Sequence, residues 1–181
     1  MLRISAGQFK GKLLSLPPQS LTRPSSDRLR QAVFNILANH INLNNIRVLD
    51  AFAGSGAFGL EAISRGAVHA IFCEKEPQVS KVLQKNISDT LKTNTNKATL
   101  YSDLFHLQSC QPVDLVFIDP PYDQLLETTA IEHLCKYQVL ANNAIVVVEQ
   151  YKNSPIVTHD KFTTLLSRIY GNCQVTILML Q

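Results

Sequence analysis

Apolar runs in this chain end on carboxylates, and two of them carry residues that could do chemistry. Val48-Leu49-Asp50-Ala51-Phe52-Ala53-Gly54-Ser55-Gly56 climbs to an acid and breaks into a small-residue loop. Asp114-Leu115-Val116-Phe117-Ile118-Asp119-Pro120-Pro121-Tyr122 delivers an acid, two prolines and an aromatic ring. Between them, Ala70-Ile71-Phe72-Cys73-Glu74 also ends on an acid.

The first loop is open to two ligands. Gly54-Ser55-Gly56-Ala57-Phe58-Gly59 satisfies G-x-G-x-x-G, so a dinucleotide must be weighed. A pyrophosphate turn wants donors and positive potential, and Asp50 supplies the opposite. A cation without phosphate is attracted instead, and S-adenosylmethionine, with its ammonium and sulfonium, is such a ligand. Either would use a glycine loop that opens a helix. Glu74 follows Gly54 at about the 20-residue spacing at which a carboxylate meets ribose hydroxyls.

The second stretch suits an exocyclic base amine. Such a nitrogen is a poor nucleophile, because its lone pair is delocalised into the ring. Acceptors on both of its hydrogens favour a pyramidal geometry and aim the lone pair at a methyl donor. Asp119 is one acceptor. The Pro120 carbonyl is the other, because Pro121 keeps residue 120 out of the α region. Tyr122 offers a face for base stacking, worth about 1–3 kcal/mol. A paired base cannot enter such a pocket, so the target is unpaired or flipped out. Transfer is then an in-line displacement whose rate comes from positioning and electrostatics. The pattern alone does not choose between guanine and adenine.

Elements must bring these tips to one edge. From residue 46 strands and helices alternate, with strands at 46–50, 70–74, 97–101, 114–119 and 144–149 and helices at 57–65, 76–91 and 125–137. That order makes a parallel α/β sheet with its ligands beyond the carboxyl ends of the strands. Residues 162–170 and 173–180 flank Gly171-Asn172, too close for a crossover helix, so they pair antiparallel. Residues 2–16 read as a β-hairpin turning through 7–11. A helix follows to about Asn39, with Leu29, Val33, Ile36, Leu37 and His40 on its buried face.

Charge is uneven along the chain. Arg3, Lys10, Lys12, Arg23, Arg28 and Arg30 crowd the first 30 residues against Asp27 alone, while the remainder holds more acids than bases. A basic front on a near-neutral body suits a polyanion. With 181 residues, 45% of them hydrophobic and 17% charged, the chain is expected to form one ordinary soluble domain. No apolar run approaches the roughly 18 residues of a membrane helix, and Met1–Gly7 lacks a signal-peptide core. Cys73, Cys110, Cys135 and Cys173 are far apart and the five histidines lack ligand spacing, so reduced thiols and no metal are expected.

Asp119-Pro120-Pro121-Tyr122 is similar to the D/N-P-P-Y/F signature of amino-methyltransferases acting on bases and glutamine amides. Together with Leu49–Gly56 and Thr22-Arg23-Pro24-Ser25-Ser26-Asp27-Arg28-Leu29-Arg30-Gln31-Ala32-Val33-Phe34-Asn35, it makes the chain resemble the bacterial 16S ribosomal RNA guanine-N2 methyltransferase family (the RsmD type) over nearly its whole length. The resemblance implies an α/β, Rossmann-like class I S-adenosylmethionine-dependent methyltransferase fold. That fold has a seven-stranded, mostly parallel sheet ending in an antiparallel hairpin, here preceded by a small β-hairpin and helix. One domain would span residues 1–181, with 1–40 facing RNA and 41–181 forming the catalytic core.

By the same resemblance the chain is a cytoplasmic monomer that methylates a guanine of 16S ribosomal RNA within the small subunit, using S-adenosyl-L-methionine. Asp50, Gly54 and Gly56 would hold the methionine portion, Phe52 would join them in the cofactor site, and Glu74 would take the ribose. Asp103 would accept from the adenine amine, with the Leu104 backbone against its ring. Asp119, Pro120 and Tyr122 would be catalytic, and Arg3, Lys10, Lys12, Arg23, Arg28 and Arg30 would hold RNA. Lys10-Gly11-Lys12 stands where arginines are usual in the family, and a lysine is a point charge where an arginine is a fork. Two alternatives stand beside this reading: an adenine-N6 methyltransferase on DNA or RNA, and an RNA-binding assembly factor without catalysis.

Overall fold

The computed structural model describes residues 2–18, 27–121 and 124–181. In chain order it contains β1 (Leu2–Arg3), β2 (Leu13–Leu14), α1 (Asp27–Leu37), β3 (Arg47–Asp50), α2 (Ala57–Ser64), β4 (His69–Cys73), α3 (Pro77–Leu91), β5 (Ala98–Tyr101), β6 (Val113–Ile118), α4 (Glu127–Lys136), β7 (Leu140–Tyr151), β8 (Phe162–Tyr170) and β9 (Cys173–Leu180). The alternation expected from residue 46 onward is present, with element ends moved by a few residues.

Seven strands form one sheet in the order β5-β4-β3-β6-β7-β9-β8. Strands β3 to β7 pair in parallel, and β9 runs antiparallel to both β7 and β8. The reversed strand is slotted between β7 and the edge, which places the β8–β9 turn near the carboxyl end of β7. The order also changes direction between β3 and β6. Chain from β3 winds outward through β4 and β5, then returns to β6 on the other side of β3. A crevice opens at such a switch point.

The apolar runs of the central strands follow from burial on both faces. Alternate side chains leave a strand by opposite faces. Val48, Phe72, Phe117 and Val147 enter a core shared with α1, α2 and α3, while Leu49, Ile71, Val116 and Val148 enter another shared with α4.

The front of the chain corrects the expected helix face. Leu29, Val33 and Leu37 are buried, but Ile36 is half-buried and His40 is exposed, lying in a turn beyond the end of α1. Phe34 and Arg30 take the inner positions instead. The cause is an aromatic group: the Phe34 ring lies 6.2 Å from Phe58 and 5.5 Å from Phe117, and those two stack at 4.7 Å. Pairs of this kind add about 0.5–1.5 kcal/mol beyond burial, enough to set the rotation of a short helix.

The N-terminal hairpin pairs Leu2 with Leu14 and Arg3 with Leu13, and it lies on α2. Ser5 N–H donates to Glu61 Oε2 at 2.7 Å, Phe9 N–H to Ser64 Oγ at 2.9 Å, and Gln8 N–H to the Ser64 carbonyl at 2.8 Å. Gly7 lies so close that a Cβ would sit 1.8 Å from the Ser64 carbonyl oxygen. At the other end, Asn86 of α3 bonds both the N–H and the carbonyl of Ser15.

Candidate active site

Asp50 is the last residue of β3, opposite Phe117 of β6 in register. It is 4% exposed, and its Oδ2 accepts the Gly59 N–H at 2.9 Å from the first turn of α2. A helix N-terminus favours an anion. Burial nevertheless dominates and pushes the Asp50 carboxyl up to about 7, with the Gly59 N–H opposing and the charge of Glu74 adding to the rise.

Glu74 follows β4 and ties the glycine loop down. Its Oε2 accepts the Gly54 N–H at 2.9 Å and its Oε1 accepts the Glu76 N–H at 2.8 Å. Burial raises this carboxyl above the usual range, and those two backbone donors pull it back. Each oxygen keeps a lone pair for a further donor. Beyond β5, Asp103 accepts the Phe105 N–H at 3.1 Å and caps the short turn Leu104–His106.

These tips share one cavity of about 1420 Å³ with the residues after β6. Asp50, Phe52, Gly54, Glu74, Asp103 and Leu104 line it together with Asp119, Pro120 and Pro121. The expectation that the acidic ends of separate strands meet is thus matched by the geometry. Tyr122 and Arg23 lie outside the described residues.

Gly56 has a packing role that the sequence reading did not give it. It is absent from the cavity wall, and a Cβ there would meet Leu83 Cδ1 at 2.5 Å. Gly59 likewise faces the Phe72 ring, where a Cβ would lie 2.3 Å from Cε1. Both glycines let α2 settle on β4 and α3. Gly54 alone of the three lines the cavity, with φ +53° and open space where its Cβ would stand.

The basic front divides into parts. Arg28 lines the main cavity with Leu2 and Pro17. Arg3 and Lys10 are exposed and Lys12 is half-buried. Lys10 and Lys12 border a smaller cavity of about 430 Å³ with Asp89 and Lys92, beyond the carboxyl end of α3. The other end of that helix, Pro77, lines the main cavity. Its 15 residues span about 22 Å, so the two lysines lie well away from the strand tips.

Arg30 is a second correction. Its side chain is 1% exposed and so cannot meet a phosphate. Its Nη2 donates to Asp27 Oδ1 at 2.9 Å and to the Arg3 carbonyl, and its Nε lies 3.6 Å from Glu61 Oε2. Glu61, fully buried, also takes Arg65 Nε at 2.8 Å. Sequence reading missed this acid, since nothing local distinguishes a buried glutamate on a helix.

Glu149 and the turn Tyr170–Cys173 also line the cavity and were missed. For Glu149 a signal existed: the fifth expected strand ends on an acid, as three of the four before it do. The turn reaches the cavity only through the insertion of β9, which local pattern does not specify.

The family described as Conserved hypothetical protein 95 matches residues 2–179. Ribosomal RNA small subunit methyltransferase D of Haemophilus influenzae is 35% identical over 175 residues, covering 94% of this chain and 89% of that protein. This chain belongs to the ribosomal RNA small subunit methyltransferase D family. Another relative, ribosomal RNA small subunit methyltransferase D of Escherichia coli K12, is 38% identical over 148 residues, 82% of this chain and 74% of that protein. Among solved structures, yhhF of Escherichia coli superposes with a TM-score of 0.85 at 32% identity, covering 99% of this chain and 98% of that one. At 14% identity, the magnesium protoporphyrin IX methyltransferase of Synechocystis, solved with bound S-adenosylmethionine, shares the fold with a TM-score of 0.64, over 88% of this chain and 87% of that one. The chain is therefore a methyltransferase with the S-adenosylmethionine-dependent fold, as its motifs implied.

Proposed function

We propose that this chain transfers the methyl group of S-adenosylmethionine to the exocyclic N2 amine of a guanine in 16S ribosomal RNA, within the small subunit. The observation that carries the reading is the single cavity shared by Asp50, Glu74, Asp103, Asp119 and Pro120. Its donor-side chemistry fits the cofactor. Asp50 answers an ammonium, Glu74 keeps lone pairs for ribose hydroxyls, and Asp103 is an acceptor for the adenine amine. The open side of Gly54 leaves room for a ligand against backbone.

When bound, S-adenosylmethionine supplies a methyl group on a positively charged sulfur that leaves as a neutral thioether. On the acceptor side, Asp119 and the Pro120 carbonyl hold the two amine hydrogens and turn the nitrogen lone pair toward the donor side. As the nitrogen gains its fourth bond it becomes cationic, and the Asp119 carboxylate is placed to stabilise that charge and receive the proton. Phe52 and Leu104 narrow the cavity with apolar surface, which strengthens these polar contacts by excluding water.

Asp119→Ala tests the assignment. Methyl transfer to small-subunit particles is expected to fall by about 100-fold or more. Binding of S-adenosylhomocysteine, followed by calorimetry, is expected to stay within about 2-fold, because Asp119 is assigned to the acceptor amine and not to the cofactor. Retained transfer in this variant contradicts the role of Asp119.

A further inference from the structure

We propose that Glu149 is the residue that selects the base: its carboxylate accepts the N1–H of the guanine whose N2 amine lies on Asp119 and Pro120. The inference rests on the guanine reading above and adds the side chain that makes the choice. Strands β6 and β7 pair in parallel with Phe117 opposite Val147 and Ile118 opposite Val148. The next residues, Asp119 and Glu149, therefore leave neighbouring strands side by side, where strand spacing is about 4.8 Å. Both line the same cavity.

Glu149 sits on an interior strand, paired through β9 at Val175, and is 5% exposed. The turn formed by Tyr170, Gly171 and Asn172 lines the same cavity, and pairing of Tyr151 with Cys173 sets it near the end of β7 that carries this acid. Asp50 and Glu74 stand at the ends of β3 and β4, farther along the sheet from β7 than Asp119 is.

The chemistry of the two bases makes this placement selective. An ionised carboxylate only accepts hydrogen bonds. In guanine the ring position beside the N2 amine is N1, which carries a hydrogen. In adenine the ring position beside the N6 amine is also N1, but it carries a lone pair. With either amine held on Asp119 and Pro120, Glu149 meets a donor in the first base and an acceptor in the second. A site built to bond an N–H rejects an analogue lacking it by a factor on the order of 10⁴.

The test needs one altered base. RNA carrying 2-aminopurine at the modified position presents the same exocyclic amine beside a bare N1. The wild-type protein is expected to methylate it at least about 100-fold less efficiently than guanine, in kcat/KM, through loss of a hydrogen bond to a charged group. In Glu149→Gln the carboxamide can donate to a bare N1. That variant is expected to lose efficiency on guanine about 10-fold or more and to narrow the gap to 2-aminopurine. Its affinity for S-adenosylhomocysteine should stay within about 2-fold, while Glu149→Asp, which keeps the charge, should keep the preference for guanine. Equal rates on the two bases with the wild-type protein overturn the proposal without needing any variant, as does an unchanged gap in Glu149→Gln. Absence of N2-methylguanine from the unaltered RNA sinks instead the reading on which the proposal rests.

Discussion

Asp50 has a raised pKa because burial outweighs the one N–H that it accepts, and a cation brought beside it reverses the balance. With the carboxyl titrating near 7 in the free protein, binding of the ammonium-bearing S-adenosylhomocysteine should expel a proton from it. Affinity should therefore rise as pH rises from about 6 to 8, and calorimetry in buffers of different ionisation enthalpy should detect the proton release. Stability runs the other way. A carboxyl whose folded pKa exceeds its unfolded value favours the folded state most at low pH, and loses that contribution as pH rises through about 7. Asp50→Asn should remove both trends. A pH-independent affinity in the wild-type protein would contradict the pairing. Asp50, Glu74 and Asp119 were legible in the sequence, because each ends an apolar run and strand order then fixes the edge. Arg30 and Gly56 were not: burial depends on partners distant in sequence, Glu61 for the first and Leu83 for the second.

Among the elements, the N-terminal hairpin is built into the fold as an integral layer. Leu2, Ile4 and Leu14 lie in the core, and Glu61 collects the Ser5 and Ala6 N–H groups with two arginines. Breaking a buried ion pair by removing one partner costs about 3–5 kcal/mol. Arg30→Ala should accordingly lower the urea midpoint strongly and leave the salt dependence of RNA binding unchanged. A stable variant with weakened RNA binding would restore the surface role first expected of Arg30. Gly7→Ala should also destabilise, since φ is +79° and the Ser64 carbonyl occupies the space a methyl group needs. The hairpin's existence was readable from its alternation and glycines. Its seat on α2 was not, because that seat depends on a serine and a glutamate of another element.

For the whole molecule, the sheet order does the assembling. Reversal of direction between β3 and β6 brings Asp50 and Asp119 across one crevice, and the inserted β9 carries the Tyr170–Cys173 turn to its end. Arg28 on the main cavity, and Lys10 with Lys12 by the carboxyl end of α3, are the separated cations that we propose for an RNA backbone. Replacing Lys10 and Lys12 together by glutamate should reduce the slope of log K against log salt by about 1–2, and should spare cofactor affinity. An unaltered slope would remove those lysines from the interface. The parallel order and the antiparallel ending were legible from element spacing, whereas the slot taken by β9 is a long-range pairing that no local run encodes.

The claim under all of this is that a base amine meets the methyl donor between the β3 and β6 tips. The most direct measurement is nucleoside mass spectrometry of small-subunit particles from cells lacking this chain, before and after incubation with the protein and S-adenosylmethionine. The expected result is one new N2-methylguanosine that disappears when Asp119→Ala replaces the wild-type protein. A gain of N6-methyladenosine, or no methylated nucleoside at all, would contradict it.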